Sequence, residues 1–315
     1  MRGLEIRAGS VCFRDDLPDA ARAGEVPVRV RLAGICATDL ALQRGYMGFA
    51  GVPGHEFVGE ALAGPFAGQR VVGEINAGCG VCAACTSGLE RHCPARTVLG
   101  ILGRSGAHAS ELSLPARSLH PVPDAVRDEE AVFVEPLAAA FEIAEQVRLV
   151  PGQRALVAGD GKLGILCAWV LDRHGLEVTV AGHHPARQEL LPERATHRPD
   201  LLERGPSAVP PYDLAVEATG RATTLPVLLP FVRPRGTVVL KTTCELPTPL
   251  DLAGVVVPEL TLVGSRCGRF EPALAALAAH EVPDARLVAA RFPLREGATA
   301  YARAAQRGTL KVLLG

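Results

Sequence analysis

Two clusters of metal-donor side chains stand out in the first half of this 315-residue chain. The tighter one, CGVCAACTSGLERHC, places Cys79, Cys82, Cys85 and Cys93 within fifteen residues, separated by two, two and seven positions. Zinc takes four thiolates in a tetrahedron, and closely spaced cysteines on a tight loop supply them without a hydrophobic core. Four thiolates leave no position open, so this ion is expected to be structural. The looser cluster spans three segments: Cys36 in GICATDL, His55 and Glu56 in GHEFVG, and Glu135 in VEPLAAA. Singly, each has an ordinary reading as a small core thiol, a hydrogen-bonded His or a helix start. Together they offer a thiolate, an imidazole and one or two carboxylates, a donor mix that suits a zinc site keeping a position for water or substrate. Asp39 could orient the ligating imidazole, and the Thr38 hydroxyl could carry a proton from a bound alcohol. By spacing alone, a solvated turn is the favoured reading of both.

A third motif is RALVAGDGKLGILCAWV, in which Gly159, Gly161 and Gly164, with Lys162 and Leu163 between them, lie between an apolar strand and a helix. Glycines there permit a tight turn and close backbone approach, and the helix N-terminus faces a pyrophosphate. At the end of the next strand, LEVTVAG, an acidic residue would accept the adenosine ribose 2′-hydroxyl. Gly182 stands in that place, followed by His183, His184 and Arg187. Losing the carboxylate and gaining basic groups favours a 2′-phosphate, so NADP(H) is expected over NAD(H). The alternative is an NAD enzyme whose ribose is held by backbone and water.

These motifs need positioning elements. Up to about residue 135 the chain reads as short strands cut by Gly and Pro: EVPVRVRLAG, QRVVGEI and HASELSLP. From Pro136 the texture alternates, with LAAAFEIAEQV, RALVAG, KLGILCAWVLDRHG, LEVTVAG, YDLAVEATG, TLPVLLPFV, GTVVLKTT and LTLVGS. Strand and helix in that alternation predict a parallel sheet wrapped by crossover helices. Leu191 to Pro211 is the one weakly patterned stretch and reads as a shortened, irregular crossover. Tyr46, Met47 and Phe49, on a loop before GHE, are read either as pocket lining or as packing.

The length suits two domains of roughly 100 to 200 residues each. Lys+Arg 33 against Asp+Glu 34, with 48% hydrophobic and 21% charged residues, argues against disorder and against a nucleic-acid footprint. Only three of the 33 basic residues are Lys (Lys162, Lys241, Lys311), so the arginine excess carries no functional weight. No apolar stretch approaches the ~18 residues of a membrane span, and charges interrupt the N-terminal segment. A cytoplasmic protein acting on a small molecule, with neither nucleic acid nor membrane as partner, is expected. Nine cysteines in such a chain point to metal or catalytic thiolates rather than disulfides.

With GICATDL, VPGHEFVG, the cysteine lobe, SGAHASELSLP, VEPLAAA, VAGDGKLG, EATG, RPRGTVV and TLKVLLG in this order, the chain resembles the zinc-dependent medium-chain dehydrogenases, the alcohol, polyol, glucose and threonine dehydrogenase superfamily. The resemblance implies a GroES-like, mostly β catalytic domain over 1–136 and 266–315, carrying the zinc lobe at 79–93. It implies a Rossmann dinucleotide-binding domain of α/β fold over 137–265. Two zinc ions per chain are implied, one structural and one catalytic on Cys36 and His55. Thr38 would relay the proton, Asp39 would support His55, and Thr219 of EATG would lie at the cofactor. Glu135, in the EPL segment of the polyol and glucose branches, is expected as the resting third ligand, with Glu56 exchanging in. The position that carries a proton-relaying His in the alcohol branch is Ala41. An alcohol, polyol or sugar, or its carbonyl counterpart, is the implied substrate, and a homodimer or homotetramer the implied assembly. Two alternatives stand beside this: a non-catalytic NADPH-sensing zinc protein, and a zinc-independent quinone or enoyl reductase, which the cysteine lobe and the Cys/His pair disfavour.

Overall fold

The computed structural model describes the chain except for residues 207–211, 244–246 and 283–284. It divides into two compact units, one of Met1–Glu135, Phe270–Ala279 and Asp284–Gly315, the other of Pro136–Arg269 and His280–Pro283.

The first unit is built on a sheet whose described strands run in the order Val288–Phe292, Lys311–Leu314, Val26–Ile35, Glu56–Ala61, Arg70–Gly73, Leu119–Pro121, with Glu111–Leu114 also pairing with Val26–Ile35. Val26–Ile35 alternates Val, Val, Val and Leu at every second position until Ala33, the pattern of a strand with one buried face. Register brings distant residues together at its end. Gly34 lies opposite Glu56 on one side, and Ile35 lies opposite Val312 on the other. The strand runs into the helix Ala37–Gln43, whose start is capped by Asp39: Cys36 N–H donates to Asp39 Oδ2 at 2.7 Å. Leu42 anchors that helix in a core with Leu4, Ile6, Ile35, Tyr301, Val312 and Leu314. Tyr46 and Phe49 pack against the same core, whereas Met47 is exposed.

The second unit is a parallel sheet ordered Thr196–Pro199, Glu177–Gly182, Arg154–Ala158, Tyr212–Glu217, Val232–Leu240, Thr261–Gly264. Strand order reverses at Arg154–Ala158, where a doubly wound sheet opens its ligand crevice. Leu156, Ala215 and Val238 are buried on a face covered by Leu225, Leu228 and Phe231. The helix Lys162–Arg173 buries Ile165, Leu166, Cys167, Ala168, Val170 and Leu171. The weakly patterned stretch holds more order than its composition suggests. Thr196–Pro199 adds a parallel strand beside Glu177–Gly182, followed by a short helix Leu201–Arg204, and residues 207–211 of the expected crossover lie outside the described residues. Proline and charge hid this strand, because an edge strand needs partners on one side only.

Candidate active site and metal centres

The four clustered cysteines meet. Their sulfurs lie within 4.8 Å of one another. Cys79 to Cys85 is 3.9 Å, Cys82 to Cys85 3.6 Å and Cys82 to Cys93 3.7 Å. A tetrahedron with metal–sulfur bonds of about 2.3 Å sets its sulfurs about 3.8 Å apart, so the donor set fits zinc in geometry as well as in kind. Amides from Val81 and Cys82 lower the Cys79 thiol to about 6. Antiparallel pairing of Asn76–Ala77 with Thr97–Val98 closes the base of the loop. Arg117 holds its rim, donating to Glu90 Oε1 at 2.8 Å and to the Gly78 carbonyl at 2.6 Å.

The second donor set also assembles. Cys36, His55 and Glu56 each offer a ligand atom within 4.8 Å of the others. Cys36 arrives as the residue before the helix Ala37–Gln43, and His55 and Glu56 at the start of the neighbouring strand. Asp39 joins the two segments: its Oδ2 accepts from Cys36 N–H and its Oδ1 from Gly54 N–H at 3.1 Å, and Oδ1 lies 3.5 Å from His55 Nδ1. That leaves Nε2 as the imidazole nitrogen for a metal. Burial works against the charge of Asp39, but His55 outweighs it and lowers the carboxyl to about 2. Burial opposes a charged His55 ring as well, and the charges of Asp39 and Cys36 reverse this and raise its pKa well above the ordinary value. Thr38 Oγ1 stands 3.9 Å from Cys36 Sγ and is half-buried. A half-buried thiolate beside a buried imidazole and a buried carboxylate is a donor set that suits a catalytic zinc.

Glu135 is outside this group. It stands half-buried in the first turn of the helix Val134–Gln146, while Glu56 is the carboxylate gathered with Cys36 and His55. Glu56 is not a free carboxylate: its Oε2 accepts from Lys311 Nζ, and both side chains are 1% exposed. The pair runs across Gly34, where a Cβ would come within 2.6 Å of Glu56 Oε2 and 3.0 Å of Lys311 Cδ. Lys311 Nζ also sits 5.5 Å above the Phe133 ring. Behind His55, His108 bridges Tyr301 Oη at 2.9 Å and the Gly34 carbonyl at 3.2 Å. Burial lowers the His108 pKa, and burial together with the charges of Asp39 and Cys36 raises that of Tyr301. Gly54, with φ +98°, lets the chain pass within 2.4 Å of the His108 ring, measured from where a Cβ would stand.

In the second unit the glycine loop follows the strand Arg154–Ala158. Gly159 has φ +112° and lies against the Ala218 carbonyl, and a Cβ on Gly164 would fall 1.9 Å from the Gly159 carbonyl oxygen. Among the described residues nothing lies within 4 Å of a Cβ position on Gly161, which precedes the helix Lys162–Arg173, so open space for a pyrophosphate adjoins the helix N-terminus. Lys162 and Leu163 open that helix and are half-buried. Thr219 sits at the end of the adjacent strand, its N–H and hydroxyl both donating to Glu217 Oε1 at 2.9 and 2.5 Å. Gly182 ends Glu177–Gly182 as expected, but the basic residues after it are occupied. Arg187 donates to the Asp160 carbonyl and lies 3.3 Å from Asp160 Oδ1, and His184 gives its N–H to Asp160 Oδ2 at 2.7 Å. His183 is exposed and faces Asp200 and Glu203 at 3.6 and 3.8 Å.

Residues 22–124 match the alcohol dehydrogenase GroES-like domain. D-altritol 5-dehydrogenase of Agrobacterium fabrum strain C58 is 31% identical over 303 residues, which span 89% of this chain and 88% of that protein. The chain belongs to the medium-chain dehydrogenase/reductase superfamily. Another relative in the superfamily is 2-dehydro-3-deoxy-L-galactonate 5-dehydrogenase of Pseudoalteromonas atlantica, 28% identical over 303 residues, 90% of this chain and 89% of that one. The alcohol dehydrogenase TADH from Thermus sp. ATN1 has the same fold at a TM-score of 0.88 and 29% identity, covering 100% of this chain and 99% of that chain.

Sequence reasoning about this medium-chain dehydrogenase/reductase missed Lys311, His108, Tyr301 and Asp160. A signal existed for one of them. In a chain that writes nearly every basic residue as Arg, Lys311 inside the apolar TLKVLLG is a compact cation placed among hydrophobes, as a buried partner would be.

Proposed function

We propose that the chain is a zinc-dependent, nicotinamide-linked dehydrogenase acting on a polyol, sugar acid or related alcohol, or reducing the corresponding carbonyl. The observation that carries this is the convergence of Cys36, His55 and Glu56 on one buried point, with Asp39 tying their segments together. The glycine loop on the parallel sheet of the same chain adds the cofactor half of the reading. The names of two relatives, D-altritol 5-dehydrogenase and 2-dehydro-3-deoxy-L-galactonate 5-dehydrogenase, agree with a polyhydroxylated substrate.

Cys36, His55 and Glu56 would hold the catalytic zinc, with Glu135 as the exchanging carboxylate, and Cys79, Cys82, Cys85 and Cys93 the structural one. When bound, zinc supplies Lewis acidity to an alcohol or carbonyl oxygen, and the nicotinamide takes or gives the hydride. The chain's own residues do the rest. Asp39 fixes the His55 ring, Lys311 anchors Glu56, and Thr38 Oγ1 hands the alcohol proton on. With Ala41 where a relaying His would stand, water at the half-buried Thr38 takes that proton.

The test is a panel of polyols, sugar acids and simple alcohols with NAD⁺ and NADP⁺, alongside metal analysis of the protein purified without chelator. Turnover of at least one polyol, lost in Cys36→Ser while dinucleotide binding persists, is the expected result. Two bound zinc ions and bound dinucleotide with no turnover on any substrate would instead make the chain a sensor. Absence of metal from protein with intact fold would overturn the zinc reading.

A further inference from the structure

Asp160, the residue between the first two glycines of the loop, turns its side chain towards the end of the neighbouring strand. A Cβ on Gly182 would stand 2.2 Å from Asp160 Cγ and 2.4 Å from its Oδ2. The carboxylate therefore fills the space in which a side chain at the end of Glu177–Gly182 would begin, bringing a negative charge to that strand end. It is 6% exposed, and its partners come from three directions. Oδ1 lies 3.1 Å from His184 Nδ1 and 3.3 Å from Arg187 Nη1. Oδ2 accepts from His184 N–H at 2.7 Å and lies 3.3 Å from His197 Nε2. Burial works against its charge, but the hydrogen bonds from His184 and the charge of Arg187 outweigh this and hold the carboxyl below the usual range.

We propose that Asp160 is the residue that sets the cofactor's adenosine end, delivering from the glycine loop the negative charge that the strand end lacks and so selecting NAD(H) over NADP(H). This rests on the nicotinamide-linked reading above, and it reverses the preference that Gly182, His183, His184 and Arg187 suggest as a bare string. Arg187 and His184 are the groups that would hold a 2′-phosphate, and both are spent on Asp160. His183 is turned to Asp200 and Glu203. A 2′-phosphate at this corner would find Arg187 and His184 already engaged by Asp160, and His183 facing Asp200 and Glu203. A ribose hydroxyl carries no charge to be repelled.

The experiment measures binding of NADH, NADPH, ADP and 2′,5′-ADP to the purified, metal-loaded protein by calorimetry, for the wild type, Asp160→Asn and Arg187→Ala. The two fragments read the adenosine end alone, with no contribution from nicotinamide or turnover. The wild type is expected to bind NADH about tenfold or more tighter than NADPH, and ADP tighter than 2′,5′-ADP by a similar factor. Asp160→Asn keeps the shape, removes the charge and releases Arg187, so it should narrow both ratios by about tenfold. Arg187→Ala strips Asp160 of its counter-charge, so it should keep or widen the preference for NADH over NADPH and for ADP over 2′,5′-ADP. Tighter wild-type binding of NADPH, unchanged ratios in a folded Asp160→Asn, or narrowed ratios in Arg187→Ala would each overturn the proposal. Should Asp160→Asn fail to fold, the wild-type ratios and Arg187→Ala decide it. If none of the four compounds binds, the nicotinamide-linked reading itself falls.

Discussion

The carboxylate of Asp160 lies where a side chain on Gly182 would begin, with Asp160 Cγ 2.2 Å from the missing Cβ. Gly182→Ala should therefore destabilise the second unit by roughly 1–3 kcal/mol, the cost of forcing a methyl group into filled space. Asp160→Ala removes the obstacle but strands Arg187. The double variant should be more stable than the sum of the two losses, and urea denaturation of all four proteins measures that coupling. Additive losses would mean the two residues do not touch. An acidic side chain installed at 182 to recruit NAD meets the same obstacle, so it is not a clean route to changing cofactor preference.

The cysteine lobe should behave as a folding element. Cys82→Ser should reduce bound zinc from two ions to one and lower the midpoint of thermal unfolding, while Cys36→Ser also loses one ion but keeps more of its stability. Metal content by mass spectrometry, paired with melting curves, checks the separation of roles. Equal loss of stability in both variants would contradict it.

Lys311 and Glu56 form a pair that neither member can leave cheaply. In protein stripped of metal, Lys311→Met should cost about 3–5 kcal/mol, because it leaves a buried carboxylate without its counter-charge. Adding Glu56→Gln should restore part of the loss. Zinc occupancy divides the two carboxylates: with Glu56 as the gathered ligand, Glu56→Gln should lower metal content at the Cys36 site more than Glu135→Gln does. The reverse order would assign the resting ligand to Glu135.

Acid should weaken the pairing of Glu25 with Arg104 by protonating the carboxylate. Burial tends to raise the Glu25 carboxyl, but Arg104, donating to it at 2.5 and 2.7 Å, outweighs burial and lowers it from 4.5. A depressed carboxylate contributes stability that is fully present above its unfolded pKa and lost as pH falls through its folded one. Glu25→Gln should thus be less stable than the wild type by roughly 1–3 kcal/mol at pH 7. The gap should shrink below pH 4.5 as the wild-type carboxylate itself protonates. Denaturation at a series of pH values reads this directly, and a gap independent of pH would exclude the ionic origin.

Local chemistry was legible in the chain alone. Cys79, Cys82, Cys85 and Cys93 sit within fifteen residues, so almost any compact path brings their sulfurs together. Gly159, Gly161 and Gly164 likewise act within one strand-to-helix turn, and alternating apolar runs announced the parallel sheet around them. The residue types of a candidate metal site could be read from the chain, but which carboxylate lies beside Cys36 and His55 could not. That is decided by register, which sets Gly34 opposite Glu56 and brings Lys311 alongside from 255 positions away. The basic string after Gly182 shows the same limit more sharply. Read in one dimension it is two histidines and an arginine with no acid at the strand end. In three dimensions Asp160, 22 positions earlier than Gly182, reaches over the glycine and takes two of them. Charge acts through space and is cancelled by whatever the fold places within a few ångströms, so net electrostatics at a site belong to the packing of side chains from separate strands and not to the order in which they are written.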